Sequence, residues 1–417
     1  MSFFQFVLWL LRRWYFWAFV CICLLTVGAV TWYYSESDLR AVDAKAHAMG
    51  VPTTWAELGL KVSSQERRDK LQEIYRLQGN LKSFYETNSD SSLFHKTFAP
   101  PSPEIIAFQN ALNPSEVQNL LKEIAELGSD PLILRDSWTY STLTPEIGQN
   151  RNVMRFLHER ALMVPAPQAA SICRIALQFA RSSQFNSLIG HLVQNSLFEI
   201  TETMITEHFN AVAQFCPEIS HDLEEAADSL DSRFQEALIE EFLCNRHFLI
   251  SPQLTDRGAT GLALGARLGR RILLDQHLNV IDIERANKSE SEKWQDFRKL
   301  EAKIRTQYVH AWWPHHQLIR LLFSNPSIVK KSQMKTSLHA RLLAAELQGK
   351  SWPPDVFHPT NAPLHRVERD GILVGAYSVG ENGVDDGGDC TSKKDIYLPI
   401  RGPQKPLSAT KAKLAPW

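Results

Sequence analysis

The chain reads as mainly α: an N-terminal transmembrane helix, a multi-helix extracytoplasmic body and a small C-terminal antiparallel β-module. Three observations predict this. An uncharged apolar run fills residues 14–34. Apolar residues recur at helical spacing, between helix caps, through residues 102–348. Strand-type alternation is nearly confined to the stretch after residue 360, where glycine and aspartate also cluster.

The anchor comes first. At about 1.5 Å per residue, a helix over 14–34 spans roughly 30 Å, the thickness of a bilayer core. Trp14, Tyr15 and Trp17 stand at one end and Trp32, Tyr33 and Tyr34 at the other, as aromatic belts do. Arg12 and Arg13 precede the run; Glu36 and Asp38 follow it. The positive-inside rule then places residues 1–13 in the cytoplasm, with apolar Phe3–Leu11 at the inner interface, and the bulk outside. The competing reading is a cleaved signal peptide. The run exceeds an ordinary h-region, and Trp32-Tyr33-Tyr34 occupies the place where small residues would be needed, which favours an uncleaved anchor.

Residues 35–100 are expected as a helical stalk. Ser63–Leu81 carries Leu71, Ile74, Leu77 and Leu81 on one face, with Gly79 as an early stop signal. An Asn/Ser/Asp cluster at 88–92 and Pro100-Pro101 mark its end. Residues 101–350 are expected as the helical body. Ser102-Pro103 and Asn113-Pro114 are helix starts, the second with Glu116 at a capping-box position. Val117, Leu120, Leu121, Ile124 and Leu127 follow at helical spacing, and Gly128 supplies a stop. Further helices are predicted over 152–164, 167–182, 187–209, 222–248, 289–309 and 327–348. Gly261, Gly265 and Gly269 suit either a smooth helix face or a flexible loop. Residues 351–401 are expected as the β-module, and 402–417, with three prolines and three lysines, as a disordered tail.

Composition narrows the function classes. The 417 residues are 44% hydrophobic and 22% charged, enough to bury a core. A net charge of -1 argues against nucleic acid as a partner. The six cysteines form no CxxC pair or zinc spacing. For Cys173, Cys216, Cys244 and Cys390, buried free thiols are the preferred reading, with disulfides the alternative. His310, His315 and His316 lie among Trp312, Trp313 and Pro314. An aromatic helix end with solvated histidines is preferred there to a zinc or copper site. His158-Glu159 and Glu207-His208 belong to no HExxH pair and read as solvated faces or local ion pairs. No GxSxG elbow is present.

The candidate site is the acidic loop near the C-terminus. Asp385, Asp386, Asp389 and Asp395 fall within eleven residues, interleaved with glycine. Calcium takes six to eight oxygens, and glycine turns let carbonyls join carboxylates around it. The spacing is not that of an EF-hand. A solvated acidic turn remains the alternative from these residues alone.

Tyr377, Ser378, Gly380, Asn382, Gly383, Gly387, Gly388, Asp395 and Ile396 carry a resemblance. In that order they resemble the C-terminal region of the major pseudopilin of type II secretion, with one extra residue before the glycine pair. There the stretch forms a calcium-binding loop after a small β-sheet. The resemblance implies a hairpin over 363–367 and 371–374 and Ca2+ as the ligand. Asp386, Asp389 and Asp395 would be its side-chain ligands, Asp385 the reserve, and carbonyls near Ser378 and Gly380 would complete them. The Gly-Phe leader and glutamate of a pseudopilin do not occur here, so pilus assembly is not implied. As a whole, the chain is similar to a group of uncharacterised bacterial single-pass membrane proteins. They share Gly50-Val51-Pro52 through Glu57-Leu58, a helical middle and the Tyr-Ser-Val-Gly ending. The expectation is a noncatalytic envelope protein of the inner membrane, single-pass, with its N-terminus cytoplasmic and its bulk periplasmic. It would hold the lipid bilayer through 14–34 and serve as a scaffold or interaction module for an unidentified protein, in a role related to secretion. The alternative is an envelope hydrolase with a dispersed active site.

Overall fold

The computed structural model describes residues 17–23, 25–26, 36–87, 112–134, 144–183, 187–250, 260–308, 325–369, 371–388 and 395–402. The chain is mainly helical, with one small antiparallel sheet. The helices are α1 (36–48), α2 (Trp55–Leu58), α3 (Gln65–Thr87), α4 (Pro114–Leu127), α5 (Thr144–Ala161) and α6 (Ala166–Ser182). They continue as α7 (Leu188–Glu207), α8 (Phe209–Phe215), α9 (Ile219–Ile250), α10 (Thr260–Arg285), α11 (Glu290–Tyr308) and α12 (Pro326–Gln348). The strands are β1 (His365–Arg369), β2 (Ile372–Ser378) and β3 (Ile396–Pro399).

Local chemistry sets several of these limits. The Asn113 side chain caps α4 by accepting from the Ser115 amide at 3.1 Å, with Pro114 at the first helical position. Val117, Leu120, Ile124 and Leu127 are its buried stripe, and Gly128, at φ 77°, ends it. Helix α3 runs through Gly79 to Thr87, past the expected stop. Helix α5 begins eight residues before the expected start, and a break at His208 separates α7 from α8. Helix α10 includes Gly261, Gly265 and Gly269, so these positions are helical.

Two cores organise the body. The first gathers α3 to α8, the first half of α9, α12 and the inner side of the sheet. The second gathers α1, the second half of α9, α10 and α11, through Val42, Ala46, Phe234, Phe242, Leu278 and Phe297. Helix α9 passes through both. Its 32 residues are about 48 Å long, with Leu223, Ala227 and Leu230 in one core and Leu238, Phe242 and Leu249 in the other. Full burial of a Leu or Phe side chain is worth about 1.5–3 kcal/mol, so these two cores dominate stability.

Charges fix the helices laterally. Arg174 and Arg181 of α6 meet Glu218, just before α9, and Asp222 and Glu225 within it. On the other flank of α9, Asp228 and Asp231 meet Arg341 of α12 at 2.9 and 2.6 Å. Lys330 of α12 is fully buried. Its ammonium holds Glu284 at 2.9 Å, pairs with Glu290 and lies 4.8 Å from the Phe234 ring centre. Burial raises the Glu284 carboxyl. Burial opposes the charge of Glu290 as well, but Lys330 and Lys293 hold that carboxyl below its ordinary value.

Residues 36–58, expected as part of a stalk, pack on α9 and α10. Arg246 of α9 grips Asp43 with two hydrogen bonds of 2.9 and 2.8 Å. Arg271 of α10 reaches Asp38 at 2.9 Å, and Lys45 reaches Asp275 at 3.3 Å. Of the expected anchor, residues 17–23 and 25–26 are described and helical; Trp17, Phe19, Ile22 and Leu25 are exposed. Among the described residues no helix is long and apolar enough to cross a membrane. The remainder of the expected span lies outside the described residues.

The three strands pair in the order β1-β2-β3, both pairs antiparallel. The hairpin from β1 to β2 lies where the sequence predicts it. The sheet is not a separate lobe: Leu364, Ala376, Leu398 and Ile400 join the first core.

Candidate functional site

The acidic loop follows β2 directly. The chain leaves Ser378, passes Val379 in the right-handed region, makes a single 3-10 turn over Gly380–Asn382 and reverses at Gly383, φ 65°. Ser378 Oγ accepts from the Gly380 amide and Asn382 Oδ1 from the Val384 amide, both at 3.2 Å, and a third side chain fastens the start of the turn. Asp355 is buried and accepts three hydrogen bonds: from the Phe357 amide at 2.9 Å, the Ser378 hydroxyl at 2.7 Å and the Val379 amide at 2.9 Å. Sequence reasoning missed Asp355. The available signal was an aspartate directly after Pro353-Pro354, where a carboxylate that bonds the backbone two residues on makes an Asx turn.

The loop's own carboxylates also bind its backbone. Asp385 Oδ1 accepts from the Tyr377 hydroxyl at 3.0 Å and from the Gly387 amide at 2.8 Å. Asp386 accepts from the Asn382 amide group at 2.6 Å. Asp395, buried at the start of β3, accepts from the Gly388 amide at 2.8 Å and from the Asp386 amide at 3.5 Å. Tyr377 stacks on His365 of β1, ring centres 4.7 Å apart and nearly parallel. Gly388 has φ 78°, and a Cβ there would sit 3.3 Å from the Tyr377 ring. Gly375, deeper in β2, is fixed by close approach. An added Cβ would lie 2.7 Å from the Leu398 carbonyl and 2.8 Å from the Tyr397 ring.

Electrostatics sets Asp395 apart. Burial pushes its carboxyl above the ordinary value, and neighbouring Asp386 and Asp385 push the same way against the two amides. The donor chemistry, clustered carboxylate oxygen, fits a hard cation. The arrangement itself turns these oxygens toward the loop's amides. Among the described residues no three His, Cys, Asp or Glu side chains converge where a metal ion would sit. Asp389 lies outside the described residues, as does Cys390.

The other candidates resolve as follows. His310, His315 and His316 lie outside the described residues. His158 and Glu207, on α5 and α7, meet at 2.7 Å in a partly buried pair, while burial lowers His208 beside them. Cys173 and Cys216 are buried free thiols, and Cys244 is buried as well. Burial raises all three, Cys216 to about 11, which keeps them unreactive at neutral pH.

No family model, curated protein or solved structure matches this chain.

Proposed function

We propose that the chain is a noncatalytic, membrane-anchored envelope protein. A transmembrane helix near 14–34 would hold a scaffold or interaction body in the periplasm, in a role related to secretion. The observation that carries this reading is the exposed apolar helical stretch at 17–23 and 25–26 ahead of a body that buries its apolar residues well. Trp17, Phe19, Ile22 and Leu25 are 60–73% exposed, the state of side chains awaiting lipid rather than a protein core. The ion pairs of α1 with α9 and α10 support a body held directly behind that helix. We also propose calcium as the ligand of the acidic loop, with Asp386, Asp389 and Asp395 as side-chain ligands and Asp385 in reserve. Burial raises the Asp395 carboxyl, and Asp386 and Asp385 add to it; that supports this reading, because a bound cation would offset the repulsion among the three.

An alkaline phosphatase fusion at the C-terminus tests the topology. An active phosphatase is expected. An inactive phosphatase, with a fluorescent cytoplasmic reporter active at the same site, overturns the reading.

A further inference from the structure

The end of the sheet is tied to the helical body by one buried histidine. His339 of α12 and Glu202 of α7 are 3% and 2% exposed. His339 Nδ1 lies 2.8 Å from Glu202 Oε2, and Nε2 lies 2.7 Å from the carbonyl oxygen of Pro399, the last residue of β3. A carbonyl can only accept, so Nε2 carries a proton. The contact between Nδ1 and the carboxylate needs a second proton, on either atom. The pair therefore holds one proton more than a neutral imidazole facing an ionised carboxylate. Glu202 Oε1 is buried with no hydrogen-bond partner among the described residues, so the carboxylate depends on His339 for compensation.

We propose that this shared proton is a latch: while it is present β3 is docked on α7 and α12, and its loss as pH rises releases the strand. After deprotonation one ring proton must serve two acceptors. It goes to the charged carboxylate, the stronger partner, and the Pro399 carbonyl then faces a nitrogen lone pair. Thr206 Oγ1 offers little replacement, being 3.5 Å from that carbonyl and donating to Glu202 O at 2.8 Å. Among the described residues the neighbouring charges are already engaged in pairs of their own. Glu199 of α7 and Lys335 of α12 are paired at 3.0 Å, and Arg401 beyond β3 is paired with Glu346 of α12 at 3.1 Å. Between α5 and α7, His158 is paired with Glu207; between α12 and α9, Arg341 is paired with Asp228 and Asp231.

Burial holds the Glu202 carboxyl above its ordinary value. A raised folded-state value means that the stabilisation is complete at low pH and is lost as pH rises. The loss falls on β3 because it is a four-residue edge strand paired, among the described residues, with β2 alone, whereas α7 and α12 are helices of 20 and 23 residues.

The test is hydrogen exchange at the Ile400 and Arg401 amides, both bonded to the Val374 carbonyl. It uses the full chain in detergent, corrected for intrinsic rates, from about pH 6 to about pH 9.5. Protection should fall by up to about tenfold per pH unit once the pair titrates. Glu202→Gln should stay protected throughout, because its amide donates to Nδ1 and leaves the Nε2 proton for Pro399. Flat protection in the natural protein, or the same fall in Glu202→Gln, overturns the latch. If Glu202→Gln does not fold, the 15N shifts of His339 decide. A ring proton at Nε2 that is lost from Pro399 in the same pH range supports the latch, and a Pro399 contact unchanged with pH overturns it.

Discussion

Removing the Asp355 carboxylate should unfasten the acidic loop. Its three donors, the Phe357 and Val379 amides and the Ser378 hydroxyl, are all buried. Each donor stripped of its acceptor costs about 1–3 kcal/mol, and water admitted by the smaller side chain recovers part of that. Asp355→Ala should therefore cost on the order of 4 kcal/mol. Asp355→Asn, which keeps one acceptor but sets an N–H against a donor, should cost about 2 kcal/mol, and Ser378→Ala, which removes the bond to Asp355 and the longer one accepted from the Gly380 amide at 3.2 Å, about 1 kcal/mol. At about 2 cal/mol/K per residue, a chain of this length shifts its midpoint by roughly 1 °C for each kcal/mol. The series should read about 4, 2 and 1 °C below the natural protein by calorimetry in detergent. Exchange protection between Tyr377 and Gly388 should fall in the same order. Asp355→Ala within 1 °C of the natural protein, with protection kept, would refute the assignment of Asp355 as the loop's anchor.

Two further perturbations follow from the geometry. Gly375→Ala drives a methyl into the Leu398 carbonyl and the Tyr397 ring, so it should cost on the order of 2–3 kcal/mol and loosen β3 from β2; a neutral effect in a denaturant titration would contradict the close approach. Glu240 of α9 is buried, and burial together with Glu236 raises its carboxyl to about 8. Below about pH 4.5 it is protonated whether folded or unfolded; as pH rises toward 8 only the unfolded chain ionises freely, and folded stability is lost. Glu240→Gln should thus be neutral near pH 4 and stabilising at pH 9 by on the order of 2–5 kcal/mol, at about 1.4 kcal/mol per pH unit. A difference independent of pH would contradict this.

Local signals were the legible ones. Asn113-Pro114 and Gly128 bound α4 as read, because a cap and a glycine stop at positive φ are decided within a few residues. Strands β1 and β2 overlap the two segments, 363–367 and 371–374, that the resemblance implied. Packing decided the rest. The three glycines of α10 do not interrupt it, and Gly79 does not stop α3, because the energy of a packed helix outweighs about 1 kcal/mol of glycine propensity. Glu202, His339 and Pro399 are far apart in the chain, and no spacing connects them. The acidic loop was found by composition, but the target of its carboxylates was not, because whether an aspartate faces a cation or its own backbone amides depends on the turn. Asp355, the residue that sets that turn, lies 23 positions before Ser378.

Calcium binding by the intact chain is the most direct test of the functional account. The chain is melted in detergent with calcium at millimolar concentration and again with chelator. Binding to the folded form alone stabilises by mass action, about 2.7 kcal/mol at a hundredfold excess over the dissociation constant. The account predicts a midpoint raised by calcium, returned by chelator, and insensitive to calcium in Asp386→Asn/Asp395→Asn. An unchanged midpoint, with no heat of binding by calorimetry at the same concentration, would contradict it and leave the loop a turn closed by its own carboxylates.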